Sequence, residues 1–391
     1  MDKTPQPYQV LFPIGMSLAL IALGVWPAHV FGHAAYPGPL HRSLMIQGFE
    51  TSFVLGFLLT AMPAFTHGPR CHPLELAWGV FSMLGFAVAT LRADESAAQS
   101  FYVVALILPL FAGGRRVLRS SRKPPEEFAF VAFGLALGLV GGALRLAGSL
   151  GAASPLPARL PERLLSLGMV LSLVVGVGSL LVPTFAGMRD PLVIPGVAQA
   201  HERTGRRALY AAIMAALGLA FLLESARHPT LGMALRAAAV TVMVTWVWKL
   251  YRPPRRDVPG FLLWGSGWFL PLGLWGAVVD PLHAIAALHL TFVGGFALLT
   301  IGIATRVVLS HGGHALELER RVLDARWLML FLVALVLRVA ADFAGPHIAR
   351  AWGTSAVLLL AACGWWGWRV VSLRSARTRA PVVERAEERP T

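Results

Sequence analysis

Long apolar runs separated by short polar connections occupy almost the whole chain. A bilayer crossing needs roughly 17–25 predominantly apolar residues. By that measure the pattern predicts twelve helices, over 10–31, 43–66, 74–92, 100–114, 127–149, 164–187, 208–224, 230–249, 260–280, 284–309, 326–343 and 352–371. The fourth and seventh runs are short. The longest connections, around 188–207 and 310–325, leave no room for a soluble domain. The expected fold class is all-α: a polytopic membrane helix bundle of about twelve transmembrane helices, forming one domain over 1–373. Beyond it, RSARTRAPVVERAEERPT (374–391) holds too little apolar surface to fold and reads as a charged, disordered tail. At the start, MDKTPQPYQV carries neither a basic n-region nor a cleavage site, so the first helix is expected to remain as an anchor.

Composition makes a soluble globule untenable. Hydrophobic residues are 56% and charged residues 14% of the chain, with a mean hydropathy of +0.64, against about 25% charged residues in ordinary soluble domains. The net charge of +14 and pI near 11.1 invite a nucleic-acid reading. However, the basic residues sit in short clusters at helix ends, such as GGRRVLRSSRK, HERTGRR and KLYRPPRR, not on one soluble face. Lys and Arg concentrate in the even-numbered connections and the tail, which places both termini on the cytoplasmic side. Two cysteines, Cys71 and Cys363, are too few for a disulfide framework; Cys71 is a candidate soft metal ligand and Cys363 a packing residue.

Two further patterns concern assembly. GLALGLVGG sets Gly134, Gly138 and Gly142 at i, i+4 and i+8, a stripe that allows close helix approach. The second, sixth and tenth helices share a Gly–apolar–Thr/Pro pattern, in GFLLTAMPAFTHGPR (56–70), GVGSLLVPTFAGMRD (176–190) and GFALLTIGIATRVVLSHGG (295–313). A period of four helices suggests three groups of four.

Against this apolar background the second helix stands out, because it opens with His41 and carries Glu50 inside. Ionisable groups at membrane depth cost a few kcal/mol and are normally tied to a partner, a proton path or a ligand. His29, His33, His41, His228, His283, His289 and His347 fall toward the outer face, and His67, His72, His201, His311 and His314 toward the cytoplasmic face. His289 and His311 share one helix but are separated by roughly 33 Å at about 1.5 Å per residue, so any metal site must recruit from one side. On the outer side the best pair is His41 and His289, since two imidazoles from facing helices suit a haem iron or a copper. The alternative is that each is an interfacial histidine. Outer-half charges also gather: Glu50, Arg145, Glu224, Arg236, Asp280, Arg338 and Asp342. Arg338 and Asp342 are spaced to pair with each other, while arginines beside an iron site hold propionates. Glu50 is a candidate for pairing with such an arginine or for proton handling. Weaker sets are His29 with His33, spaced i, i+4 for one helical face, and the cytoplasmic HGPRCH and SHGGH, suited to copper.

HRSLMIQGFETSFVLGFLLTAMPAFT (41–66) and ALHLTFVGGFALLTIGIATRVVLSHGG (287–313) resemble two motifs of the NnrS family. The resemblance implies a haem- and copper-containing bacterial inner-membrane protein associated with nitric oxide metabolism and nitrosative stress. By position it carries over His41, His289, Arg306 and His311. Ser43 and Leu44 stand where the family has a second His and a Glu, and Ser310 where it has Gly, which marks this chain as a divergent member.

In topology the plan also resembles subunit I of the haem-copper oxidases, with twelve helices in three arcs and a low-spin haem between the second and tenth. That family draws copper ligands from helices six and seven, and 164–187 and 208–224 contain no His, so an oxidase-like binuclear centre is not expected. The reading is a haem-binding membrane protein, the haem of b-type, with His41 and His289 as axial ligands and Arg338 or Arg145 near the propionates. Copper is a second candidate metal, and nitric oxide or an electron donor the partner. The competing classes are a transporter built round Glu50, with helices two, six and nine broken at Pro63, Pro183 and Pro271, and a structural or sensing scaffold.

Overall fold

The computed structural model describes residues 5–120, 124–153, 155–188 and 200–379, without the side chains of 200–203 and 374–379. The expected segments are helical: α1 Pro7–Val30, α2 Gly38–Thr66, α3 Pro73–Leu91, α4 Glu95–Arg119, α5 Phe128–Ser149 and α6 Leu160–Phe185, then α7 Ala200–Ser225, α8 Pro229–Val247, α9 Val258–Val279, α10 Ala284–Gly312, α11 Ala325–Ala341 and α12 Ile348–Arg379. Eleven of these regions are long and apolar enough to cross a membrane, and the remaining helix, α11, is the shortest at 17 residues. The chain is a multi-pass, all-α membrane protein. The two runs that looked short are full-length helices, because polar residues extend α4 and α7 beyond their apolar centres. The last helix continues to Arg379, past the expected boundary at 373.

Helix ends follow local chemistry. Pro7, Pro73 and Pro229 open α1, α3 and α8, where the missing N–H costs nothing. Asp94, Asp257 and Asp324 cap α4, α9 and α11 by accepting the N–H groups of Ala97, Gly260 and Trp327. Gly313, at φ 66°, ends α10 in the left-handed conformation that glycine adopts without strain.

Three helices form the centre. About 78% of the crossings of α2 and α6 is buried, against 33–50% for the other crossings. α2 and α6 touch through Leu44–Glu50 and Leu164–Val170, and the Leu298–Gly312 half of α10 meets both. The other helices pack around this triad in sequence order: α1 against α2 and α12, α3 against α4, α5 against α6, α9 against α10, and α11 against α12. The glycine stripe serves the wall of this centre. A side chain at Gly134 or Gly138 would meet Met169 of α6 at 3.0 and 2.5 Å, while Gly142 faces Tyr102 of α4.

Each central helix contains a widened π-helical segment: Leu44–Glu50 in α2, Leu164–Val170 in α6 and Leu290–Ala297 in α10. The segments end alike, in Gly48-Phe49-Glu50, Gly168-Met169-Val170 and Gly295-Phe296-Ala297. The four-helix period is therefore structural, but its register in α10 is corrected: Gly295 matches Gly48 and Gly168, not Gly56 and Gly176. The expected breaks at proline are corrected as well. Pro63, Pro183 and Pro271 all lie inside continuous helices, where packing against neighbours accommodates the lost hydrogen bond.

Candidate functional site

Two sites emerge on the central helices, one near the end of the bundle where α1 carries Trp26 shortly before it finishes at Val30 and one in its middle. At the Trp26 end, His41 stands at the start of α2 and His289 at the start of α10. The His41 Nδ1 lies 2.8 Å from the carbonyl of Ala22 in α1, and the His289 Nδ1 lies 2.7 Å from the carbonyl of Ile285. A carbonyl only accepts, so each Nδ1 carries the proton and each Nε2 keeps its lone pair. That is the state in which a second-shell hydrogen bond prepares histidine for a metal. The two imidazoles lie within electrostatic reach of each other and of Arg338 on α11.

Aromatic side chains close this end. The Trp26 ring is 5.6 Å from His41 and 5.3 Å from Trp352 of α12. Asp342 accepts from the Arg338 Nη1 and from the Trp352 Nε1, each at 2.9 Å. The i, i+4 pairing of Arg338 with Asp342 thus exists, and it uses only one guanidinium nitrogen among the described residues. Sequence reading missed Trp26 and Trp352; both are tryptophans at helix ends, the usual place for interfacial aromatics.

Other sequence candidates lie elsewhere. Arg145 is engaged by Glu95 at 2.7 Å and by the Gln47 carbonyl oxygen at 2.6 Å. Arg338 is the arginine that interacts with the histidine pair. His29 and His33 do not share a helical face, since α1 ends at Val30 and Gly32 takes φ +77°, turning the exposed His33 away. Arg306 and His311 sit at the opposite end of α10. Arg306 pairs with Glu319 at 3.2 Å and stacks over Phe185, and the His311 ring is 6.2 Å from Tyr8. His72 caps α3, and burial beside the Glu75 carboxylate pushes the Cys71 thiol up to about 12, which disfavours the metal-binding thiolate. Cys363 is buried in the core, and the side chain of His201 lies outside the described residues. Among the described residues no three His, Cys, Asp or Glu side chains gather as a metal site.

The second site is Glu50. It is 4% exposed and accepts the Thr300 hydroxyl of α10 at 2.9 Å. No arginine pairs with it among the described residues, contrary to one sequence expectation. The carboxyl lines a cavity among α1, α2, α6 and α10 with about 70 Å³ of room for small guests.

The donor set at the Trp26 end suits a haem, with Nε2 lone pairs on two imidazoles within electrostatic reach of each other and an arginine with nitrogens to spare. Fold and site define a polytopic helical membrane protein in which α2 and α10 carry the His41–His289 pair and the Glu50–Thr300 hydrogen bond. The NnrS protein family matches residues 4–377, so the chain belongs to the NnrS family. No match is found among curated proteins.

Proposed function

We propose that this NnrS-family protein carries a b-type haem in the bacterial inner membrane, held between His41 and His289, and acts in electron transfer or nitric oxide handling. The carrying observation is the matched pair of Nδ1 hydrogen bonds to Ala22 and Ile285, which leave both Nε2 atoms without a partner among the described residues on imidazoles within electrostatic reach of each other. When bound, the haem supplies a one-electron redox centre. Ala22 and Ile285 orient the imidazoles, Arg338 offers its unused N–H groups to the propionates, and Trp26 and Trp352 shield that end from water. The family resemblance supports copper as a second metal and a role in nitrosative stress. The basic connections support cytoplasmic termini, and residues 1–373 act as one transmembrane domain.

The test is an absorption spectrum of the purified protein, oxidised and dithionite-reduced, for wild type, His41→Ala and His289→Ala. A reduced Soret band with sharp visible bands, absent from both variants, is the expected result. A wild type that stays colourless after reconstitution with haem overturns the proposal.

A further inference from the structure

We propose that the cavity on the axis of α2, α6 and α10 is a binding site for a small uncharged molecule of gas size, facing the Glu50 carboxyl as its polar wall. The inference is independent of haem.

The repeat places the cavity. Counting from the end of each π-helical segment, the residues three positions on are Phe53, Leu173 and Thr300, and those seven positions on are Phe57, Val177 and Ala304. All six line the cavity. The three copies of one structural unit therefore line a common, half-open space. At the segment ends, α6 and α10 carry the apolar Val170 and Ala297, and only α2 carries a carboxyl. The fold closes in two copies without any charge at this position, so the architecture does not require Glu50. Val54, Val174, Thr300 and Ile303 are partly exposed although they lie on the central helices and line the cavity.

Size and lining select the guest. One water needs on the order of 10–15 Å³, and a dry engineered cavity of about 150 Å³ takes benzene or xenon. A half-open space of about 70 Å³ is therefore large enough for a diatomic molecule or a xenon atom. Glu50 and Thr300 supply its polar groups and already bond to each other, whereas a buried water needs two to four partners. The three oxygens of these two side chains are also too few to strip a metal cation of its water.

The direct experiment is anomalous diffraction from crystals of the full chain under xenon pressure, for wild type, Val174→Phe and Ala304→Leu. These substitutions fill the cavity from two different helices, α6 and α10, so one serves if the other fails to fold. Xenon is expected in contact with Val54, Val174 and Thr300, with at least a tenfold loss of occupancy in the variants. An infrared difference spectrum should show the Glu50 carboxyl band, assigned through its loss in Glu50→Gln, shifting under the same pressure. No xenon at this position, ordered water or an acyl chain filling it, or an unmoved carboxyl band overturns the proposal.

Discussion

α2 and α6 run through the centre of one bundle with the same π-helical device, and nearly every polar feature distinguishes them. Three residues before its segment α2 has His41, whereas α6 has Pro161; at the segment's end α2 has Glu50, whereas α6 has Val170. One residue after matching cavity positions the difference reverses in size. Leu58 of α2 corresponds to Gly178 of α6, which the Trp248 ring just beyond α8 approaches so closely that an added side-chain carbon would sit 2.3 Å from it. The shared part is geometry and the unshared part is chemistry. A widened helix re-aims side chains at a functional point, and α2 uses that point for ionisable groups while α6 uses it for packing.

Exchanging features between the helices tests this contrast. The largest effect is expected from Val170→Glu, which puts a second carboxyl into the centre without a Thr300 to bond it. A buried polar group without a partner costs about 3 kcal/mol or more, and a sharp fall in melting temperature in detergent is the expected readout. A melting temperature equal to wild type would show that the centre tolerates charge at any of the three positions, and the contrast would collapse. Gly178→Ala comes next. The Trp248 ring is fully buried and cannot swing aside, so overpacking should cost about 1–3 kcal/mol. Glu50→Leu should be milder, within about 1 kcal/mol. It removes one hydrogen bond, and the freed Thr300 hydroxyl can turn to a carbonyl one helical turn back, as Thr305 does with Ile301. A large loss on Glu50→Leu would make Glu50 a structural residue.

The same contrast explains what the sequence made legible. Helices follow from hydropathy because a crossing has a fixed length, and His41, His289 and Glu50 were conspicuous because polar groups are rare at depth. The register of the repeat was harder to see. α2 contains Gly-Phe twice, at Gly48-Phe49 and Gly56-Phe57, and eight residues is close to two helical turns, so Gly295-Phe296 of α10 matches either by pattern. Only the π-helical segments distinguish them, and an extra residue in a turn leaves no mark on hydropathy. Thr300 as the partner of Glu50 was hidden for a related reason, since the two are 250 residues apart and meet only because α2 and α10 share an axis. His29 and His33 misled because spacing alone assumed a continuous helix across Gly32.

The smallest expected effect lies at the Tyr8 end, where α6 and α10 share a clip that α2 lacks. Arg255 donates its backbone N–H to Ala186 just beyond α6 at 2.7 Å, and its side chain to Asp257 and Glu319; Glu319 in turn pairs with Arg306 of α10. The end of α2 is tied separately, through Arg116 to the carbonyls of Pro69 and Arg70 and to Glu75. Partial burial works to raise the Asp257 carboxyl, but hydrogen bonds from Arg255 and the Gly260 N–H, with Arg320 beside them, hold it below its usual range. A carboxyl depressed in the folded state stabilises it at pH above the unfolded value, about 3.9, and the contribution disappears as pH falls through the folded value. Asp257→Asn should therefore melt lower than wild type above pH of about 4, with the gap narrowing on further acidification. A gap that stays constant with pH would show that the Asp257 charge does not stabilise this end, since Asn keeps the helix cap, and would leave Glu319, paired with Arg255 and Arg306, as the charged part of the clip.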